Sequence, residues 1–520
     1  MLFPVRKVSD VPIEGRVTPA ELPGPRGSGT EPRAGVARLA WRPVGGVLIV
    51  DAALLAATVT RYGYHRDELY FRMLASHPAW GYVDEPPGTP ILAKAGIAVF
   101  GDNLWALRIP AMIFALAAVL MTALVARELG GGSWAQTLAA AGVSSTFLLV
   151  AGHVLLTATP DLVVWLGVIL FACRALLRAR PRAWLAAGVL AGAGMWNKQL
   201  IVLLLIGIGV GLILVGPRLE LRSRWLWGGV AIAAVIALPN VLYQLSNSWP
   251  EVTMARTIAA NKGHDDRVLF VPFQLILLGI TVVPIWVAGL IRLLRDPRWR
   301  EVRCLALAYP VVCVLVVVTA GQPYYTFGLL AFCYAAGCVV TERWAAGHRA
   351  RWAWTWTAAA VTVAAGVLFA LPVFPLRSLP PAIAAADQAE RDTVGWPTYV
   401  HQVALVYRAL PAADRKRTTV IAENYGEAGA LDRFGPADGL PQVYSGQNQL
   451  YEYGPPPGST DLVILVGTYD LPTAFTNCTR QSTLDNGVDV DNEEQGRRVS
   501  LCRGLRQPWT VLWPRFRHYG

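Results

Sequence analysis

The sequence predicts a polytopic α-helical membrane protein with a C-terminal α/β domain outside the cytoplasm. Of its 520 residues, 54% are hydrophobic and only 16% are charged, and the mean hydropathy of +0.41 is well above that of ordinary soluble domains. Apolar stretches long enough to cross a bilayer recur up to about residue 373. Lys and Arg gather in every second connection between these stretches, which is typical of cytoplasmic loops.

The amino-terminal residues 1–42 are rich in Pro, Gly and charge, and predict a disordered cytoplasmic tail that precedes an uncleaved signal anchor. Residues 43–375 form the predicted transmembrane domain, which contains about eleven helical spans. The predicted spans are residues 43–60, 104–126, 134–151, 159–177, 183–197, 200–216, 225–243, 269–293, 302–319, 325–341 and 353–373.

The distribution of basic residues predicts the orientation of these spans. The amino-terminal tail and one set of connections together hold 23 Lys and Arg residues, and the other set of connections holds roughly eight before residue 373. The first set is therefore expected in the cytoplasm together with the amino terminus, and the odd number of spans puts residues 376–520 outside. The net charge of +11 follows from this asymmetry, so the composition requires no nucleic-acid partner.

The outer part, residues 376–520, is long enough to fold as a domain of its own. The segments RTTVIAEN and TDLVILVGTY are typical of buried strands, and GEAGALDRFG is typical of a short helix. Cys478 and Cys502 would lie in an oxidising compartment, where two thiols in one small domain tend to pair. We expect a disulfide between them; the alternative is two unrelated buried thiols.

The longest connection in the transmembrane domain, residues 61–103, carries two acidic pairs beside apolar sequence. Asp-Glu stands at positions 67–68 and again at 84–85, where it directly precedes a stiff Pro-Pro turn. Desolvation and mutual repulsion can raise the pKa of such carboxyl groups toward the range of a general base. The alternative is a set of solvated loop charges paired with nearby arginines, and the residues alone leave both interpretations open.

The motifs HRDELYF and YVDEPPGTPIL resemble the first outer loop of the GT-C glycosyltransferases, which include protein O-mannosyltransferases and lipid A aminoarabinose transferases. The resemblance continues in order through FGDNLWALRIPA, TPDLVVWLGVILF, WNKQLIVLLL and GQPYY, and covers about residues 44–340. The segment ENYGEAGALDRFG resembles the outer domain of a bacterial branch of this family.

This resemblance implies roles for the acidic residues. Asp67 matches the residue proposed as the base that activates the acceptor, and Glu68 would support it. Asp84 matches an acidic position that lines the same site and can contact a metal. Glu85 stands where the family often has Lys, so contacts to the donor are expected to differ.

The resemblance also implies a donor sugar carried on a polyprenyl monophosphate, whose departing phosphate needs cations or hydrogen-bond donors. Lys198 is the first candidate, because a lysine at membrane depth must pair or snorkel, and snorkelling alone is the alternative. The further candidates are Arg61, Arg66, Tyr324 and Tyr325; the tyrosines are equally compatible with interfacial packing. No cofactor is certain. A divalent metal held by Asp84 and His264 is one alternative, although a lone histidine is more often structural.

We therefore expect an integral membrane glycosyltransferase of the cell envelope that transfers a sugar, with inversion, to an acceptor outside the cytoplasm. The sequence leaves open whether the acceptor is a protein, a lipid or a cell-wall glycan. The main alternative is a transporter or flippase of lipid-linked sugars. Transporters tend to show repeated halves, which the sequence lacks, whereas its acidic pairs cluster in one loop.

Overall fold

The computed structural model describes residues 36–378, 380, 388–469 and 474–520, and residues 37–520 form one compact unit. Most of the predicted tail, residues 1–42, lies outside the described residues. The helices up to residue 370 are α1 (Trp41–Thr58), α2 (Arg66–Ser76), α3 (Gly88–Phe100), α4 (Leu104–Glu128), α5 (Ser133–Val143), α6 (Thr146–His153), α7 (Ala158–Leu177), α8 (Ala183–Met195), α9 (Ile201–Leu214), α10 (Arg224–Ser246), α11 (Pro250–Ile276), α12 (Val283–Arg295), α13 (Arg303–Thr319), α14 (Phe327–Ala345) and α15 (Arg349–Ala370).

Seven of the described helices are long and apolar enough to cross a membrane, or up to nine if each of two bent pairs counts as one span. The polytopic α-helical fold is thus confirmed, with fewer full-length spans than the predicted eleven. Two predicted spans, 183–197 and 200–216, are the short helices α8 and α9, of 13 and 14 residues. At 1.5 Å per residue they are about 20 Å long, shorter than a ~30 Å hydrocarbon core.

Two other predicted spans, 134–151 and 269–293, contain sharp breaks. Helices α5 and α6 meet at 65°, and at their junction the Ser144 hydroxyl donates to Asp51 Oδ2 at 2.7 Å. Helix α11 already begins at Pro250, and the chain bends by 69° before α12. The turn passes through Gly279 at φ +100°, a conformation that favours glycine. Apolar composition alone does not reveal these bends.

Helices α7 and α14 are the most buried of the membrane-length helices, whereas α1 and α10 expose most of their apolar side chains, as expected for lipid-facing positions. The outer part adds α16 (Gln388–Arg391), α17 (Trp396–Arg408), α18 (Ala412–Arg415), α19 (Tyr425–Phe434), α20 (Asn448–Glu452) and α21 (Trp509–Leu512). Short 3-10 turns lie at Arg218–Arg222, Ile280–Val282, Pro297–Val302, Pro323–Thr326, Leu376–Ser378, Gly435–Asp438 and Trp513–Arg515.

The outer part contains the predicted α/β arrangement. Its strands are β1 (Thr418–Ala422), β2 (Val443–Ser445), β3 (Leu462–Val466), β4 (Phe475–Thr483) and β5 (Arg498–Leu505), in the sheet order β2-β1-β3-β5-β4. Strand β1 pairs in parallel with β2 and β3, and β5 runs antiparallel to both β3 and β4. Cys478 on β4 lies opposite Cys502 on β5, and the two form a disulfide.

The loop helix α2 and the outer domain share one hydrophobic core, which includes Leu69, Phe71, Trp396 and Leu431. A Cβ atom at Gly429 of α19 would lie 2.7 Å from Leu69 Cβ and 2.9 Å from the Leu69 backbone. Glycine is therefore needed for α2 and α19 to approach this closely. Their contact brings the first turns of the two helices side by side.

Candidate active site

A cavity of ≈ 680 Å³ opens where the acidic loop, the membrane helices and the outer domain meet. Six of the residues singled out from the sequence line it: Asp67, Asp84, Glu85, Lys198, Tyr324 and Tyr325. The cavity is also lined by Glu251, Arg256, Tyr425 and Asn448. The structure thus brings both acidic motifs and the lysine into one space.

Asp67 lies in the first turn of α2, where the positive end of the helix dipole favours a carboxylate. Its backbone N–H donates to Nδ1 of the N-cap His65 at 3.1 Å. Its Oδ1 accepts a hydrogen bond from the Tyr425 hydroxyl at 2.9 Å, and its side chain is 31% exposed. Asp67 is therefore a fixed carboxylate that a ligand in the cavity can reach.

Glu68 has a different environment from its neighbour. Its carboxylate is fully buried, accepts from Arg108 Nε at 3.0 Å, and also accepts the backbone N–H groups of Leu155 and His65. The side chain anchors α2 to α4 and does not line the cavity, so Glu68 does not contact a ligand there and the predicted support for Asp67 is indirect. Its effect on Asp67 is that of a positioning residue.

Asp84 is held by hydrogen bonds on both oxygens. Oδ1 accepts from the Tyr70 hydroxyl and Oδ2 accepts from Asn448 Nδ2, each at 2.9 Å. Burial raises the pKa of Asp84 to about 7, against the lowering effect of these hydrogen bonds. At neutral pH this carboxyl group therefore exists in both protonation states.

Glu85 also lines the cavity. Its Oε2 is buried without a hydrogen-bond partner among the described residues. Burial, followed by repulsion from Asp84, raises the pKa of Glu85 well above its usual value. The glutamate at this position therefore takes up a proton more readily than an ordinary surface carboxylate.

The acidic turn is docked on the segment that carries Lys198. The Gly88 backbone N–H donates to the carbonyl of Trp196 at 2.6 Å, and the Thr89 hydroxyl donates to Asn197 Oδ1 at 2.7 Å. Lys198 Nζ donates to the Tyr324 hydroxyl at 3.5 Å and lies 4.9 Å from the centre of the Tyr325 ring. Lys198 is thereby fixed at the cavity with its cation directed to two tyrosines.

Two arginines predicted to bind phosphate are engaged elsewhere. Arg61 Nη1 donates to the backbone carbonyls of Pro372 and Val373, both at 3.1 Å. Arg66 forms an ion pair with Glu493 and stacks over the Tyr425 ring. Neither is among the cavity-lining residues, so this part of the prediction is corrected: their guanidinium groups connect the loop to the segments that follow α15.

The candidate metal ligands do not come together. His264 is an exposed residue of α11 and is not among the described residues that line the cavity, and both oxygens of Asp84 already accept hydrogen bonds. Within the described ranges, no group of three His, Cys, Asp or Glu side chains is placed to hold a metal. The proposed pair of Asp84 and His264 therefore does not fit a metal centre here.

Sequence reasoning missed three cavity residues. Glu251 accepts from Gln244 Nε2 at 2.8 Å near the start of α11, and Tyr425 and Asn448 come from the outer domain. The asparagine backbone is left-handed, with φ +50°, which asparagine adopts more readily than most residues. Tyr425 belongs to the segment ENYGEAGALDRFG, but no local motif places any of the three at the cavity, because each reaches it only through the packing of distant segments.

The fold is that of a known class of membrane proteins. The structure matches ArnT from Cupriavidus metallidurans bound to undecaprenyl phosphate with a TM-score of 0.53 and 15% identity, over 88% of this chain and 97% of that one. The apo structure of the same protein matches with a TM-score of 0.55 and 14% identity, over the same shares. The chain is therefore a polytopic membrane protein of the GT-C fold.

Sequence comparison finds similarity over part of the chain. Residues 84–243 match the sequence profile of the dolichyl-phosphate-mannose-protein mannosyltransferases. Undecaprenyl phosphate-alpha-4-amino-4-deoxy-L-arabinose arabinosyl transferase 1 of Pseudomonas fluorescens Pf0-1 is 29% identical over 266 residues, 48% of this chain and 46% of the relative. Its counterpart in strain Pf-5 is 30% identical over 172 residues, 31% of this chain and 30% of the relative.

The chain thus has the GT-C fold, and part of its sequence is similar to protein mannosyltransferases and to aminoarabinose transferases. The alignments span less than half the length of these curated relatives.

Proposed function

We propose that this protein is an integral membrane glycosyltransferase that moves a sugar from a polyprenyl-phosphate donor to a hydroxyl acceptor outside the cytoplasm. The observation that carries the proposal is that an accessible carboxylate, Asp67, and a fixed ammonium group, Lys198, line the same cavity. These are the two groups that a direct displacement needs, one for the acceptor proton and one for the departing phosphate.

The shape of the cavity also suits a lipid donor. Beside Lys198 the lining continues along α9 with the apolar residues Leu200, Val202 and Leu203. Val202 is 39% exposed and belongs to a membrane-embedded helix, so a polyprenyl chain can lie along this side. A lipid-linked phosphate would then reach Lys198 while its tail stays in the bilayer.

The reaction is a single displacement. Asp67 takes the proton of the acceptor hydroxyl, the acceptor oxygen forms a bond to the anomeric carbon, and the bond from that carbon to the phosphate oxygen breaks. The electron pair of the broken bond leaves with the polyprenyl phosphate, whose charge Lys198 and the Tyr324 hydroxyl stabilise. One displacement inverts the anomeric configuration.

The Asp67→Asn variant tests this proposal. Purified wild type and variant are incubated with a panel of polyprenyl-phosphate sugars and hydroxyl acceptors, and release of free polyprenyl phosphate is measured. We expect the variant to lose ~10²- to 10⁴-fold in rate, the usual contribution of a general base. Asp265→Asn, an exposed aspartate of α11, is the matched control and keeps wild-type activity.

Equal rates for wild type and Asp67→Asn would remove Asp67 as the base. Lack of turnover by the wild type with every donor would refute the glycosyltransferase proposal. The purified protein, reconstituted in lipid vesicles, would then be tested for movement of lipid-linked sugar between the two leaflets, which is the activity expected of a flippase.

The proposed orientation puts the amino terminus in the cytoplasm and the cavity with the outer domain on the other face, because the basic connections lie on the amino-terminal side. A single cysteine introduced at the exposed Ser76 should react with a membrane-impermeant thiol reagent in intact cells. If this cysteine reacts only after the cells are lysed, the orientation is the opposite of the one proposed. The native free cysteines are buried or partly buried, so they should add little background labelling.

A further inference from the structure

Two side chains of the outer domain are bonded to the two acids of the membrane loop. The Tyr425 hydroxyl donates to Asp67 Oδ1 and Asn448 Nδ2 donates to Asp84 Oδ2, each at 2.9 Å. We propose that the outer domain completes the active site, with Tyr425 as the positioning residue that orients Asp67. This inference rests on the proposed function and adds to it a role for a domain that otherwise only covers the site.

Tyr425 is fixed on several sides. Its ring lies 4.8 Å from the Tyr70 ring, the Arg66 guanidinium lies 4.7 Å above its centre, and its backbone N–H donates to Gln447 Oε1 at 2.6 Å. Asn424 and Glu427 form a capping box that fixes the first turn of α19. The hydroxyl therefore has a defined position and is not a mobile surface group.

The hydrogen bond to Tyr425 divides the two oxygens of Asp67 into different roles. Oδ1 accepts from the tyrosine, whereas Oδ2 accepts no hydrogen bond within the described residues and lies 3.9 Å from His65 Nδ1. Tyr425 thus fixes the orientation of the carboxylate and leaves one oxygen for the acceptor hydroxyl.

The segment around Asn448 holds the second acid in the same way. The Gln449 backbone N–H donates to the Tyr70 hydroxyl, which itself donates to Asp84, and Gln449 Oε1 accepts from the Val83 backbone N–H at 3.0 Å. The left-handed backbone of Asn448 persists because its N–H donates to the carbonyl of His518 at 3.1 Å. The outer domain therefore contacts both acidic motifs through a preformed turn.

The Tyr425→Phe variant in the full-length protein separates positioning from packing, because the ring contacts stay and only the hydroxyl is lost. We expect kcat to fall ~10-fold or more, with KM for the donor unchanged and thermal stability near that of wild type. Tyr469→Phe, which removes a hydroxyl bonded to the Ala422 carbonyl, is the control.

A second measurement needs no turnover. A carbodiimide with an amine labels accessible carboxyl groups, and mass spectrometry follows the rate at which Asp67 is labelled at one fixed pH. We expect faster labelling in Tyr425→Phe than in wild type and in Tyr469→Phe, because Oδ1 of Asp67 loses its hydrogen bond. An unchanged labelling rate would overturn the positioning role. A wild type that is inactive with every donor would refute the proposed function, whereas the labelling experiment would still decide whether Tyr425 controls Asp67.

Discussion

The acidic loop, residues 61–103, and the outer domain meet at the same two carboxylates but contribute in opposite ways. The loop supplies the acids, placed by local features such as the cap of α2 and the Pro-Pro turn. The outer domain supplies hydrogen-bond donors to those acids from residues more than 350 positions away in sequence. The comparison teaches that reactive groups can lie on a short local motif while their orientation depends on long-range packing.

The largest effect on stability is expected for Glu68, which anchors the acidic loop through its buried ion pair with Arg108. Glu68→Gln removes a fully buried charge from its pair with Arg108, and breaking such a pair costs about 3–5 kcal/mol. The matched variant in the outer domain is Glu452→Gln, which breaks a partly exposed pair with Arg517 and should cost about 0–1 kcal/mol. Thermal unfolding in detergent compares the two. Equal stability losses would contradict the assignment of Glu68 as the buried anchor.

The next effect concerns Lys198, which the transmembrane domain contributes to the cavity. Lys198→Gln should weaken binding of a polyprenyl phosphate ~10- to 100-fold, because hydrogen bonds to charged groups contribute about 1.5–3 kcal/mol. Lys94→Gln, on the exposed face of α3, should bind like wild type. Titration of both variants with the lipid phosphate measures this difference. Unchanged affinity in Lys198→Gln would leave snorkelling as the role of this lysine.

The smallest effect concerns Asp84, which both regions hold. Because its pKa is raised to about 7, Asp84 is largely ionised at pH 8 and largely protonated at pH 6. Asp84→Asn removes a negative charge and should therefore bind the lipid phosphate ~3- to 10-fold more tightly than wild type at pH 8. The ratio of the variant's affinity to that of wild type should fall toward one at pH 6. This ratio is the quantity to measure, because the phosphate itself titrates near pH 6 and affects both proteins equally. A ratio that does not change with pH would mean that Asp84 keeps one protonation state.

Asp67 and Glu68 show what a sequence motif can predict about a site and what it cannot. The motif identified both residues, but successive helical residues point about 100° apart, so one faces the cavity and the other faces Arg108. Which of the two faces the cavity depends on how α2 packs against α4 and α19. Arg61 and Arg66 were predicted to bind the donor phosphate because of their charge and their position in the loop. In the structure they contact Val373 and Glu493 instead, and these partners could not be identified from the loop sequence because they lie far away along the chain.

The sequence by itself determined the membrane class, the α/β outer domain and the acidic, lysine and tyrosine motifs of the cavity, because composition, periodicity and short motifs are local properties of the chain. Only the tertiary structure decided where the spans bend and that Asp67 is accessible whereas Glu68 is buried. It alone also decided that Tyr425 and Asn448 complete the cavity. Those features follow from contacts between segments hundreds of residues apart, and a side chain gains such a partner only when the whole chain is packed.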